Sequence, residues 1–259
     1  MPQSLGAHSS QLARVRELLT KEGRGAQQRF LVEGPTMLCE AAESGAPPIE
    51  IYATSEAYAA TGVIRELESR GIPAFLIGQP TMKRLSDVKT PTGVLGICEA
   101  RIHVLEDFFH RDGLVLVLAD ISDPGNAGTL LRSADAFGVD RVLFGAGGVE
   151  PFNPKVVRAS MGSLFRVDIG VGKADDLFQR FEGWTFMGLT PEGLPLSHAA
   201  DSPRRALVVG QERRGLGAWE RLCGQKIAIP MSGQAESLNA AVAGSIALYE
   251  LSGRARQGA

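Results

Sequence analysis

Leu114-Val115-Leu116-Val117-Leu118-Ala119, followed shortly by Asp123-Pro124-Gly125-Asn126-Ala127-Gly128-Thr129-Leu130-Leu131-Arg132, is the stretch that decides how this chain is read. An apolar run with no polar alternation predicts a strand buried on both faces, as in parallel sheets covered by helices. A glycine-rich turn and a helix over about Gly128–Phe137 complete a strand-to-helix step. Repetition of that step is the signature of an α/β protein.

Reading outward toward the C-terminus, strands are predicted near Arg141–Phe144, Leu164–Val167, Thr185–Leu189, Ala206–Val209 and Lys226–Ile229. The last helix is predicted over Ser237–Leu251, with Gly253–Ala259 as a frayed tail. Reading toward the N-terminus, residues 101–112 carry no strong pattern and are taken as a linker. Before it, a helix over Ser9–Thr20 puts Leu12, Val15, Leu18 and Leu19 on one face. A strand at Arg29–Glu33, a helix over Pro35–Ser44 and a strand at Ile49–Ala53 follow. A helix near Glu56–Arg70 and strands at Pro73–Ile77 and Val94–Glu99 close that unit. The expectation is therefore two domains, residues 1–106 and 107–259.

Composition is that of an ordinary soluble chain, 44% hydrophobic and 22% charged over 259 residues. The formal net charge of −2 announces no polyanionic partner, so a nucleic-acid binder must concentrate its cations locally. Residues 1–30 do so, with five cations (Arg14, Arg16, Lys21, Arg24, Arg29) against the two anions Glu17 and Glu22. These charges fit a phosphate-binding face or simply a solvated helix face. Cys39, Cys98 and Cys223 are far apart and lack metal-ligand spacing, which suits small buried side chains in a reducing compartment. No close pair of histidines could seat a metal, and no metal is expected. The first residues show no secretory pattern and the longest apolar run is too short for a bilayer, so a cytoplasmic protein with no membrane partner is expected.

Chemistry concentrates in three glycine-rich segments, each following a predicted strand: Asp123–Gly138, Val208-Val209-Gly210-Gln211-Glu212-Arg213-Arg214-Gly215-Leu216, and Ile229-Pro230-Met231-Ser232-Gly233-Gln234-Ala235-Glu236-Ser237-Leu238-Asn239. Loops leaving the carboxyl ends of parallel strands gather into one crevice, and glycines let backbone groups approach a ligand there. Taken singly, each segment has a plainer reading: turn glycines, Arg132 as a solvated cation, Leu238–Leu248 as a buried helix. The spacing around Gly125 and Gly128 does not make a GxGxxG, which counts against a nucleotide-dependent oxidoreductase.

Taken in order, Asn126-x-Gly128-x-x-x-Arg132, Gly210-x-Glu212-x-x-Gly215-Leu216 and Ile229-Pro230-Met231-x-Gly233-x-x-x-Ser237-Leu238-Asn239 resemble the three motifs of the SpoU, or TrmH-like, RNA 2′-O-ribose methyltransferases of the SPOUT superfamily. Lys155–Phe165 is similar to the segment that links them, and the resemblance spans about Leu114–Leu251. The first half, with Arg29-Phe30-Leu31-Val32-Glu33-Gly34, resembles the small ribosomal-protein-like RNA-binding domain often attached in the family. One departure is Gln211, where the family commonly has Asn.

The resemblance implies an α/β parallel-sheet domain with a deep trefoil knot at about 205–251, and a homodimer. It implies S-adenosylmethionine held by Gly210, Ile229 and Leu238, with Leu189, Thr190 and Ser237 beside them. Arg132 would be the catalytic arginine, with Asn126, Glu212 and Asn239 ordering the reacting groups. The substrate implied is a ribose 2′-hydroxyl in structured RNA, ribosomal RNA ahead of transfer RNA. Arg14, Arg16, Arg24, Arg29, Lys155 and Arg158 are the candidates for phosphate contacts. The non-enzymatic rival is an RNA-binding protein with a vestigial cofactor pocket, against which the intact Asn126, Arg132, Glu212 and Asn239 argue.

Overall fold

The apolar run Leu114–Leu118 forms the interior of a strand in which Val115, Leu116 and Val117 are fully buried. In the computed structural model, which describes residues 2–178, 181–211, 213–235 and 237–257, this strand lies inside the second of two compact units. The first unit comprises residues 1–101 with 152–158, the second 102–151 with 159–259.

In the first unit, the elements are β1 (Gln3–Ser4), α1 (Ser10–Glu17), α2 (Lys21–Gln27), β2 (Arg29–Glu33), α3 (Pro35–Glu43) and β3 (Glu50–Ala53). They continue with α4 (Ser55–Ala60), α5 (Gly62–Ser69), β4 (Ala74–Leu76), α6 (Gln79–Leu85) and β5 (Val94–Glu99). The sheet order is β1-β4-β3-β5-β2. It is mixed: β5 runs antiparallel to both β2 and β3, while β4 is parallel to β1 and β3. Side-chain caps decide where the helices begin. Ser9 Oγ accepts the Leu12 N–H at 3.3 Å, and Thr20 Oγ1 accepts the Gly23 N–H at 3.0 Å, which starts a separate α2 directly after α1. The helix expected over Glu56–Arg70 is two helices, because Thr61 between them is extended (φ −106°, ψ 102°).

The second unit contains α7 (Leu105–Phe109), β6 (Gly113–Leu118), α8 (Pro124–Ala136), β7 (Arg141–Gly145), α9 (Pro154–Ser160) and β8 (Asp168–Gly172). It ends with α10 (Ala174–Leu177), β9 (Thr185–Pro195), β10 (Arg204–Val209), β11 (Gln225–Ala228) and α11 (Ala240–Gln257). The first part of α9, through Arg158, belongs to the first unit. The sheet order is β11-β9-β10-β6-β7-β8 and every strand pair is parallel. β6 and β10 pair along their whole length, from Gly113 opposite Arg204 to Leu118 opposite Val209.

Three expectations need correcting. The strand expected at Leu164–Val167 is instead a 3₁₀ turn over Ser163–Phe165, and the strand comes afterward at Asp168–Gly172. Met161 (φ 48°) and Gly162 (φ 91°) are both left-handed, which ends α9 and tightens the chain before it can extend. The presumed linker is ordered on the second unit: Phe108 and Phe109 are buried in its core. The buried Arg141 guanidinium donates to the carbonyls of Phe108, Arg111 and Asp112. The division between units therefore falls after Arg101. Finally, α11 starts at Ala240 and not at Ser237, because Asn239 caps it, and it continues past Leu251 to Gln257. Among the described residues, no helix is long and apolar enough to cross a membrane.

Candidate active site

Parallel strands send their carboxyl ends to one side, so the segments leaving β9, β10 and β11 meet there. With the start of α11 they line a cleft of about 140 Å³, partly open to solvent. Leu189, Thr190, Gly210, Ile229, Ser237 and Leu238, the six residues singled out for a cofactor, all line it. Val209, Met231, Ala240 and Ala243 add to an apolar lining.

Local backbone irregularity builds this space. β9 pairs with β11 through Gly188 opposite Lys226, then resumes only at Leu194 opposite Ile227. The intervening residues bulge out of the ladder, which turns Leu189, Thr190 and Pro191 into one wall. Gly210 lies so close to Gly215 that a Cβ there would sit 2.2 Å from the Gly215 carbonyl oxygen. The loop is clipped shut by reciprocal bonds, Gln211 N–H to Gly215 O at 3.0 Å and Gly215 N–H to Gln211 O at 2.9 Å. Thr190 Oγ1 is buried with no hydrogen-bond partner among the described residues. A buried hydroxyl without a partner is costly unless a ligand satisfies it, so this mostly apolar cleft fits a ligand that carries polar groups as well.

A polar cluster adjoins one edge of the cleft. Asp123 caps α8 by accepting the Asn126 N–H at 2.8 Å, with Pro124 at the first helical position. Asn239 Oδ1 caps α11, accepting N–H bonds from Ala241 (2.9 Å) and Val242 (3.2 Å), while its amide donates to Asn126 Oδ1 at 3.0 Å. Asn239 therefore stands between the cleft-lining Leu238 and Ala240 and ties α11 to the start of α8. Farther along, Ser133 and Ser245 hydroxyls meet at 2.6 Å, and Gly244 allows Leu130 and Val209 to close in. Arg132 projects from α8 into solvent and has no hydrogen-bond or ion-pair partner among the described residues. Glu212, expected in the same cluster, lies outside the described residues.

The expected phosphate contacts divide. Arg14 and Arg16 are exposed on α1, Lys155 is exposed, and Arg29 is half-buried on β2. All of them, with Arg158, belong to the first unit. Arg158 is half-buried in an ion pair with Asp87. Arg24 is a correction: it is 5% exposed, and its guanidinium donates to the Leu18 carbonyl at 2.8 Å. The turn between α1 and α2 leaves that carbonyl without a helical partner, and Arg24 fills the need.

Sequence reasoning missed Asp120. It lies two residues past the end of β6, with a left-handed φ of 53°. Its carboxylate accepts N–H bonds from Gly147 and from the Trp219 indole, each at 3.0 Å, and its carbonyl accepts the Gln211 side-chain amide. The signal lay in Gly145, Gly147 and Gly148, where any Cβ would run into Asp120 or its neighbour Ile121. Cysteine nucleophiles find no support: burial pushes the Cys98 and Cys223 thiols up to about 12, and burial also raises Cys39. Among the described residues no group of three or more His, Cys, Asp or Glu stands together as a metal site.

Residues 113–249 match the SpoU rRNA Methylase family, and residues 10–96 match the MRM3-like substrate binding domain. The chain is 31% identical to the 23S rRNA (guanosine(2553)-2′-O)-methyltransferase RlmP of Bacillus subtilis, with 98% of this chain and 100% of that one covered. Among solved structures it resembles the AdoMet-bound rRNA methyltransferase from Sinorhizobium meliloti, at 26% identity and a TM-score of 0.84 over 97% of this chain and 98% of that one. It also resembles the SpoU methyltransferase AviRb from Streptomyces viridochromogenes in complex with AdoMet, at 26% identity and a TM-score of 0.85 over 97% of this chain and 100% of that one. The chain belongs to the SpoU rRNA methylase family.

Proposed function

We propose that this protein uses S-adenosylmethionine to methylate a ribose 2′-hydroxyl in ribosomal RNA. One observation carries the reading: Asn239 joins the cleft wall to the helix that presents Arg132, so a methyl donor in the cleft and a nucleotide at the arginine share one frame. The names of its relatives support it, RlmP for the 2′-O-methylation of a 23S rRNA guanosine and the two solved structures for bound AdoMet.

Gly210, Ile229 and Leu238, with Leu189, Thr190 and Ser237, would hold the cofactor, and the Thr190 hydroxyl would gain a partner that it lacks among the described residues. When bound, the cofactor supplies a sulfonium methyl open to attack. The Arg132 guanidinium, which has donors and no acceptor, acts as a cation: it holds the phosphate beside the target ribose and stabilises charge developing on the 2′-oxygen. Asn126 and Asn239 orient that edge of the site. Alignment of two bound reactants contributes on the order of 7–11 kcal/mol to such a step. Arg14, Arg16, Arg29 and Lys155, exposed or half-buried on the first unit, supply phosphate contacts.

The same reading includes a trefoil knot over about 205–251 and a cytoplasmic site of action. It also includes a homodimer, supported by Val242, Ile246 and Tyr249, which leave an apolar stripe exposed on α11 at helical spacing. The decisive experiment incubates the purified protein with tritiated S-adenosylmethionine and ribosomal RNA lacking the modification, then maps the ribose protected from alkaline cleavage. A single protected site is expected. Absence of label in RNA from every source would overturn the proposal.

A further inference from the structure

We infer that Asp120 is a positioning residue for the cofactor cleft, acting through Gln211 and Trp219; this rests on the cofactor reading above. Asp120 leaves β6 where Ala119 N–H still bonds the Val209 carbonyl at 2.8 Å, so it stands beside the exit of β10. A left-handed backbone is uncommon for a residue with a side chain, though Asp tolerates it better than most. Here that conformation turns the Asp120 carbonyl to receive the Gln211 amide.

The carboxylate holds the same segment at Trp219 and also the turn after β7 at Gly147. One carboxylate oxygen takes the Gly147 N–H, and the other takes the Trp219 indole N–H. Trp219 is 1% exposed, so its indole needs a partner inside the protein, and Asp120 provides it. Gln211 begins the clipped loop that closes at Gly215, and both residues line the cleft. Trp219 follows four residues later. The loop is therefore gripped on both sides by one residue that does not itself line the cleft. The departure at Gln211 gains a physical reason: its side chain is one methylene longer than Asn, and the amide reaches the Asp120 carbonyl.

Three variants test this. Asp120→Asn keeps size and backbone tolerance but leaves one acceptor oxygen for two donors, the Gly147 N–H and the indole N–H. Gln211→Leu removes the amide at its own end, and Trp219→Phe removes the indole donor. S-adenosylmethionine affinity is measured by calorimetry, with KM, kcat at saturating cofactor and the thermal midpoint alongside. Asp120→Asn and Gln211→Leu are expected to weaken affinity and raise KM about tenfold each. For both, kcat at saturation should stay within about twofold. Adding Trp219→Phe to Asp120→Asn should recover part of the loss, because one of the two donors is gone. Cofactor affinity within about twofold of wild type in both single variants overturns the inference. A lowered thermal midpoint with unchanged affinity does so too, because it assigns Asp120 to folding alone. Wild-type protein that binds no S-adenosylmethionine defeats the cofactor reading itself, a separate outcome read before any variant is made.

Discussion

In the second unit every strand pair is parallel, so the strand exits face one way and several loops converge on one cleft. In the first unit β5 runs against β2 and β3, so loops are divided between the two ends of the sheet. The first arrangement makes a site from backbone, bulges and close glycines. The second leaves its surface to helices, and α1 displays Arg14 and Arg16 there. A backbone site tolerates little change in shape, whereas a cationic face works by charge and tolerates much.

The sharpest separation should come from Arg132→Ala. Turnover is expected to fall by about a hundredfold or more, the scale of losing a transition-state charge donor. Cofactor affinity by calorimetry should stay within about twofold, since Arg132 does not line the cleft. Retained turnover would remove it from the chemistry. Gly210→Ala probes the other side, because the added Cβ would lie 2.2 Å from the Gly215 carbonyl. A stability loss of about 1–3 kcal/mol in urea unfolding is expected, together with loss of cofactor binding.

On the first unit, Arg14→Ala with Arg16→Ala should weaken RNA binding and flatten its salt dependence by about one unit of slope per contact, leaving cofactor affinity alone. Arg24→Ala should do the reverse, costing about 1–3 kcal/mol of stability with the salt slope unchanged. A flattened slope in Arg24→Ala would reverse the assignment drawn from its burial. The smallest effect concerns Cys98. Its folded pKa is raised by burial from 9.0 to about 12, so the folded state holds the proton more tightly than the unfolded state. That contribution is complete below pH 9 and disappears as pH rises toward 12. Urea midpoints across that range should decline less steeply in Cys98→Ala than in wild type.

Much of the cleft was legible because glycines and small residues carry a backbone message that survives without tertiary context. Gly210, Ile229 and Leu238 follow strands whose apolar runs were plain, and their convergence follows from parallel pairing. Charged side chains carry no such message. Arg24 and Arg16 look equivalent in the sequence, yet one answers a buried carbonyl and the other faces water. The strand at Asp168–Gly172 was obscured by Gly170 and Gly172, which β-propensity disfavours but which Phe108 and Leu105 require for space.

The chain's own order of residues determined the alternation of strands and helices, the family motifs and the identity of the backbone loops, because periodicity and glycine placement act locally. Tertiary structure alone decided which arginines are buried and which exposed, that residues 152–158 join the first unit, and that Asp120 bridges Gly147, Gln211 and Trp219. These depend on contacts between residues far apart in the chain, whose partners no local pattern names.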